Sequence, residues 1–511
     1  MTLDELTRGE TLERARGVTA VRERASARTS LAALAIAAIA GAALYLGVFT
    51  LPFSLLKLQA YYHLDLERWQ IGSGYVHWVL FAALLAEGAL YWFAWQAART
   101  ARGRAAWVVV IGGALLLAAP LLFIYPIGST DIFDNIMHGR IVGLYHADPF
   151  VMVANQFPQD IFANYSGWPT TTSAYGPLWE RLAGGVAQLG GNTVVSNVIA
   201  FKLLDVLFLA GCGGLIGVML WRAAPERAPA GVLLLTWNPI VLYETVGNGH
   251  NDIVMVFCIL AAALAIYFRR YTLAILLLVA GALVKFIPVL MLPAAGLIAL
   301  RALPDWRARL RFIAVTGLLS GALILASYAP FWHGLQTLAL DRREKLFTSS
   351  LLSVVLRLIQ PMMPLDKAMT LISRAALAAT LLFALWEGVR AWRDRSWLSF
   401  TRSAFHISIF YLLGTVTWLW PWYSLWPVAL AALMPPGREM LLAQVMAFNF
   451  AVRPFFYAYL VLHRPLGRTS SWEELRLGPA VLGAAWLTAA GLFVAAMLGR
   501  LRRALAGARP A

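Results

Sequence analysis

Charge is scarce in this sequence: Asp, Glu, Lys and Arg fill 13% of its 511 positions, against about 25% in an ordinary soluble domain. With 60% of positions hydrophobic, no soluble fold could bury so much apolar surface. Cysteine is nearly absent. The only two, Cys212 and Cys258, both fall inside apolar runs, which excludes a disulfide framework and a cysteine-based metal site. Internal repeats and low-complexity segments are missing too. So is the alternation over roughly ten residues that an outer-membrane barrel needs.

What is present is a series of apolar runs of about 20 residues, each long enough as a helix to cross a hydrocarbon layer of about 30 Å. They recur from Leu31 to Arg500. The expected fold is therefore all-α, a polytopic transmembrane bundle of about 12–14 helices. Segments are expected near 31–51, 75–96, 105–125, 196–221, 230–246, 250–268, 271–285, 286–300, 311–330, 369–392, 403–420, 421–435, 440–462 and 478–500. Pro288 and Pro421 divide the long stretches 271–300 and 403–435, each expected as two short helices meeting at a turn.

Arginine distribution sets the expected orientation. With the N-terminus inside, the inner segments collect Arg8, Arg14, Arg16, Arg22, Arg24 and Arg28, then Arg99, Arg102 and Arg104, then Arg222 and Arg227, then Arg269 and Arg270. The same pattern continues to Arg500, Arg502 and Arg503. Both termini are expected to be cytoplasmic, as tails 1–30 and 501–511 around a single transmembrane domain, 31–500. The net charge of +16 then faces anionic lipids, so membrane lipids are expected partners and nucleic acid is not. The mixed-charge residues before Leu31 are too long for an ordinary signal peptide, and the first helix is expected to stay as an anchor.

Polar chemistry gathers on the other side. The outer loop 126–195 opens with Ser129-Thr130-Asp131-Ile132-Phe133-Asp134 and runs on to His138-Gly139-Arg140. If this stretch is helical, Ser129 and Thr130 suit its N-cap, and Asp131 and Asp134 share a face in its first turn. Ordinary capping and surface acids would look the same. The segment 178–190 is amphipathic and too short to span, which suits the outer interface.

A turn between two further helices holds Glu244 and then Gly247-Asn248-Gly249-His250-Asn251-Asp252, more polar groups than a capped turn needs. Lys285, in an apolar run before Phe286-Ile287-Pro288, requires water, an anion or snorkelling to the interface. Arg342 and Arg343 lie in the outer loop 331–348. Trp418, Trp420, Trp422, Tyr423 and Trp426 cluster at one outer end, as interfacial belts do, though such rings also stack on sugars. Within the helices, Lys202 and Asp205 are spaced to pair with each other, while Glu87, Arg374 and Arg453 have no local partner.

The ordered set of Asp131-Ile-Phe through His138-Gly139-Arg140, Asp148-Pro149-Phe150, Ser173-Ala-Tyr175-Gly176-Pro177, Asn238-Pro239, Gly247 to Asp252 and Lys285-Phe-Ile-Pro288 resembles the GT-C glycosyltransferases. Among these it resembles the bacterial polyprenyl-phosphate-mannose-dependent α-1,6-mannosyltransferases. The resemblance covers about a third of the chain. It implies a GT-C-like helical membrane enzyme with a large extracytoplasmic first-site loop, a polyprenyl-phosphate sugar as donor and a lipid-linked or cell-envelope glycan as acceptor. Carried over, Asp131 is the general base and Asp134 a supporting or alternative acid. The common layout places the acidic loop after the first helix, whereas here it follows the third.

The chemistry agrees with that resemblance. A sugar hydroxyl needs a base, and a lipid phosphate leaves without an acid if cations stabilise it. His250, Asn251, Asp252, Lys285, Arg342, Arg343 and Tyr175 are the expected donor-phosphate and substrate-binding residues. One inverting displacement suffices. No cofactor is required by this scheme; a divalent metal, Mg or Mn, shared by Asp131 and Asp134 is the alternative. No inner loop is long enough for a nucleotide-binding domain, which favours a lipid-linked donor. The competing class is a transporter or flippase of lipid-linked sugars, for which repeated halves and midplane charges are expected.

Overall fold

A computed structural model describes residues 28–62, 75–338, 346–347, 350–449 and Leu498. Arg342, Arg343, Arg453, both tails and almost all of the expected segment 478–500 lie outside the described residues.

The protein is an all-α, multi-pass membrane protein. Among the described residues six helices are long and apolar enough to span: Arg28–Thr50, Trp78–Ala98, Gly103–Leu121, Val194–Ala223, Trp306–Phe331 and Leu365–Arg393. Shorter apolar helices, Asp252–Tyr267, Tyr271–Ala282, Ile287–Ala302 and Leu351–Met362, fill the spaces between them. The helices start where capping residues supply an acceptor: Thr193, Asp305 and Ser396 each take a backbone N–H from three residues ahead, a bond that satisfies one orphan donor of the first turn. Buried apolar side chains from Leu34 to Ala447 form one contiguous core.

Proline punctuation works as expected at two places and adds a third. Tyr271–Ala282 stops before the Pro288 turn and Leu292–Ala302 follows it. Trp397–Phe410 continues to Thr415, and Leu425–Leu433 begins beyond Pro421. The expected single helix 230–246 is instead two pieces, Ala228–Thr236 and Pro239–Leu242. Asn238 makes the break: its side-chain oxygen caps Ile240 and Val241 at 3.0 and 3.3 Å, and Pro239 occupies the first helical position, where its missing N–H costs nothing.

Lys202 does not pair with Asp205 as its spacing suggests. Its ammonium donates to the carbonyls of Leu121 (3.1 Å) and Ile124 (2.6 Å), which are orphan acceptors at the end of Gly103–Leu121. Glu87 is buried among helices, as an intramembrane carboxyl must be.

The connections sort into two ends. At one, Arg227 donates to Met434 O, Arg301 lies over Trp392, Arg222 over Phe268, and Ser30 bonds Thr100. These are the arginine-rich turns. At the other end, Leu55 N bonds Phe123 O, Arg181 bonds Ala326 O, Ser350 bonds Thr417 O, and Trp168 meets Trp418 edge-on. Three membrane-length helices precede Asp131, so the late position of the acidic loop is a property of the chain.

Candidate active site

The acidic stretch folds as helix Asp131–Gly143, with Thr130 at the N-cap. The Thr130 hydroxyl makes no capping bond; Ser129 Oγ accepts the Asp131 N–H instead, at 3.2 Å. Arg140 anchors the far end. Its guanidinium holds Asp160 (2.6 Å), the carbonyl of Gly191 (2.7 Å) and Asn192 (3.3 Å), and Tyr145 adds a hydroxyl bond to the same Asp160 oxygen. Arg140 thus ties the loop at Asp160 and the turn at Gly191 and Asn192 to this helix.

The two acids have different surroundings. Asp134 is buried, and its carboxylate accepts from Ser166 Oγ, Gly167 N (3.2 Å) and Trp168 N (3.1 Å). Burial pushes its carboxyl up to about 7; the Ser166 bond opposes this, Asp131 adds to it, and the two backbone bonds oppose it. Asp131 is half-buried, and its carboxylate has no hydrogen-bond or ion-pair partner among the described residues. One acid holds the 166–168 loop; the other is free to act.

Three chain segments converge on this corner. Gly128 N donates to Asn248 Oδ1 at 2.9 Å. Gly249, at φ +72°, sits against Ile132 so closely that a Cβ would fall 2.3 Å from Ile132 Cδ1; only glycine fits both the left-handed backbone and the contact. Lys285 pairs with Asp252 at 2.6 Å, and Trp426 Nε1 donates to the other Asp252 oxygen at 2.7 Å. The Lys285 ammonium also lies 5.6 Å from the Tyr175 ring centre and 5.1 Å from that of Tyr423, within cation–π range. Tyr175 in turn feels the field of the acids. Burial pushes its hydroxyl well up, and the charges of Asp131, Asp252 and Asp134 all act on it.

Lys285 is therefore a paired cation, where the sequence suggested water, an anion or the interface. His250 is buried and stacked on Trp422, with ring centres 3.8 Å apart, and its Nδ1 faces Glu244 Oε2 at 3.2 Å. Its Nε2 is unpartnered, as is Asn251 Nδ2. The aromatic stack continues as Trp420 stacked on Trp422 and Trp418 beside Trp420. Arg342 and Arg343 cannot be placed, being outside the described residues.

The segment 178–190 is a helix, Pro177–Gly190, packed on Asp131–Gly143 and Val194–Ala223. Its Glu180 and the loop residues Ser166 and Trp168 were not singled out by the sequence, and Ser173 only as part of a motif, with no role given to it. Their partners are remote or cross a turn, and no local pattern reports that.

A divalent ion shared by Asp131 and Asp134 would find few ready ligands here. Both Asp134 oxygens are already engaged by Ser166, Gly167 and Trp168, and among the described residues no three His, Cys, Asp or Glu side chains are grouped to hold one. Such ions take several oxygen ligands.

A bundle of spanning helices, with an acid-bearing loop and a paired lysine at one end, defines a multi-pass membrane protein of the GT-C-like kind. The chain belongs to the family described as "Alpha-(1->6)-mannopyranosyltransferase, N-terminal domain", whose profile matches residues 29–301. It is 26% identical over 351 residues to Alpha-(1->6)-mannopyranosyltransferase A of Mycobacterium tuberculosis, covering 64% of this chain and 65% of that protein. Against the protein of the same name from Corynebacterium glutamicum it is 26% identical over 184 residues, 35% of this chain and 36% of that one. It therefore spans less than two thirds of the length of these curated relatives. No solved structure matches.

Proposed function

We propose that this protein transfers a mannosyl group from a polyprenyl-phosphate donor to a lipid-linked or cell-envelope glycan, on the extracytoplasmic side of the membrane, by a single inverting displacement. The observation that carries this reading is the Asp131 carboxylate, half-buried and without a partner among the described residues, beside the Tyr175–Lys285–Asp252 cluster. Family membership supports mannose as the sugar. The relatives' α-(1→6) linkage makes a primary hydroxyl of the acceptor the nucleophile.

In this reading the acceptor oxygen attacks the anomeric carbon while Asp131 takes its proton. The bond from that carbon to the phosphate oxygen breaks, and the electron pair leaves with the polyprenyl phosphate. Inversion to an α product requires a β-linked donor. Lys285 is proposed to face the departing phosphate, its charge balanced by Asp252 until a second anion arrives. Arg342 and Arg343 are proposed as further cations. His250 and Asn251, with their unpartnered nitrogens, are proposed to line the sugar side. One base and one stabilised leaving group complete the chemistry, and no covalent sugar–enzyme intermediate is needed.

Purified protein in liposomes, given radiolabelled polyprenyl-phosphate mannose and a membrane glycolipid extract, tests the reading. A labelled glycolipid whose linkage analysis shows a new α-(1→6) mannose is expected. Movement of intact donor across the bilayer without transfer would favour the transporter class and overturn it.

A further inference from the structure

We infer that Glu180 is a positioning residue for this site, acting through Ser173 to hold Tyr175 beneath Lys285. The inference rests on the functional reading above and adds to it a residue to which that reading gives no role. The chain of contacts is continuous. The Ser173 hydroxyl donates to Glu180 Oε1 and accepts the Tyr175 N–H at 3.1 Å. Ser173 N is itself fixed on Pro149 O at 2.9 Å. The next residue, Gly176, donates to Val284 O at 3.0 Å, and Leu178 to Leu283 O at 3.0 Å. A Cβ on Gly176 would lie 2.0 Å from Leu283 O, so the strand of chain carrying Tyr175 is pressed directly on the turn that carries Lys285.

Glu180 is unsuited to acting as a charged acid. It is fully buried, its Oε1 receives a single hydroxyl, and its Oε2 has no partner. The nearest basic group, His138 Nδ1, is 3.8 Å from Oε1, too far for a hydrogen bond. Asp148, paired with His333, adds negative charge nearby. A carboxylate so placed has no compensation, whereas a neutral acid needs none. Burial first, and then Asp148, push this carboxyl up to about 8, the Ser173 bond opposing. Burial holds His138 down at about 4, so it offers Glu180 no cationic partner at neutral pH.

This arrangement makes the glutamine a faithful substitute, because its side-chain carbonyl can accept the Ser173 hydroxyl as the neutral acid does. Glu180→Gln, Glu180→Ala and Ser173→Ala are compared in the liposome assay with polyprenyl-phosphate mannose and an alkyl α-mannoside as acceptor. Hydrogen exchange of the 173–178 amides is followed in parallel, with thermal unfolding confirming that each variant folds.

Glu180→Gln should match the native protein in exchange and in kcat/KM at pH 7, and should keep its activity above pH 8, where the native rate falls. The two alanine variants should lose about tenfold or more in kcat/KM for the donor with little change in the acceptor KM, and should exchange faster at Tyr175 and Gly176. Rescue that fails, with Glu180→Gln as inactive as Asp131→Asn, would make Glu180 a charged participant and overturn the inference. Folded alanine variants with native exchange and native donor kinetics would overturn it equally. If the native protein transfers no mannose, the functional reading falls, while the exchange measurements still decide whether Glu180 positions Tyr175.

Discussion

The Lys285 ammonium sits 2.6 Å from one oxygen of Asp252, while the other oxygen of that carboxylate accepts the Trp426 indole N–H. Asp252 is fully buried and Lys285 partly so, with 18% of its side chain exposed. A pair of this kind gains little over an apolar pair but leaves an uncompensated charge when one partner is removed. Lys285→Met and Asp252→Asn are each expected to cost about 3–5 kcal/mol. The double variant should cost less than the sum. Thermal unfolding in detergent, analysed as a double-mutant cycle, measures the coupling; strict additivity would mean that the two charges do not depend on each other.

The acids of the first turn should separate by kind of effect. Asp131→Asn removes basicity without disturbing any bond seen in the fold, so turnover should fall by roughly 10²–10⁴-fold with the melting temperature unchanged. Asp134→Ala removes the acceptor of Ser166 Oγ and Gly167 N and one of the two acceptors of Trp168 N, and should cost about 2–4 kcal/mol in stability. In the metal-free reading a chelator should leave native activity intact. Activity that vanishes with chelator and returns with Mg or Mn would reverse this assignment.

The sequence made some of this legible and hid the rest for physical reasons. Spanning helices are visible because each is a run of one solvent preference, and Pro288 and Pro421 mark breaks because the backbone rule is local. Asp131 is visible through motif order. The roles of its neighbours are not. Asp134 is defined by a loop 32 residues away, Lys285 by an acid 33 residues back, and Lys202 by carbonyls about 80 residues back, so spacing within one helix wrongly paired it with Asp205. Glu180 has the same difficulty: on an amphipathic stretch an acid looks like surface, and only the packing of two helices shows it buried.

Orientation is testable without any activity. The arginine-rich turns and the site lie at opposite ends of the bundle, and the positive-inside rule predicts that the site is outside. Asn155 is exposed in the loop that carries the site, and the two native cysteines are buried. A cysteine at 155 should therefore react with an impermeant maleimide in intact cells, against a low background. Labelling seen only after permeabilisation would place the site in the cytoplasm, and a polyprenyl-linked donor on the outer face could not then reach it.

Stability should respond to pH in a direction set by three buried groups. Glu180 and Asp134 are both raised by burial, from 4.5 to about 8 and from 3.8 to about 7. For such groups the stabilisation is complete below the unfolded value and is lost as pH rises through the folded one, because the unfolded chain releases its proton first. His138 is lowered from 6.5 to about 4. Its neutral folded form is favoured above the unfolded value, and that contribution is lost as pH falls toward 4. Below pH 6.5 the acids and the histidine therefore oppose each other. Between pH 6.5 and 8 the histidine no longer titrates, while Asp134 and Glu180, with folded values of about 7 and about 8, both titrate and Glu180 carries the larger share, so stability should fall with rising pH. The loss should be about 2–3 kcal/mol across that window, read as a declining melting temperature. Glu180→Gln has no proton to lose, and its melting temperature should be flatter over the same range; parallel curves for the two proteins would show that Glu180 is already ionised in the fold.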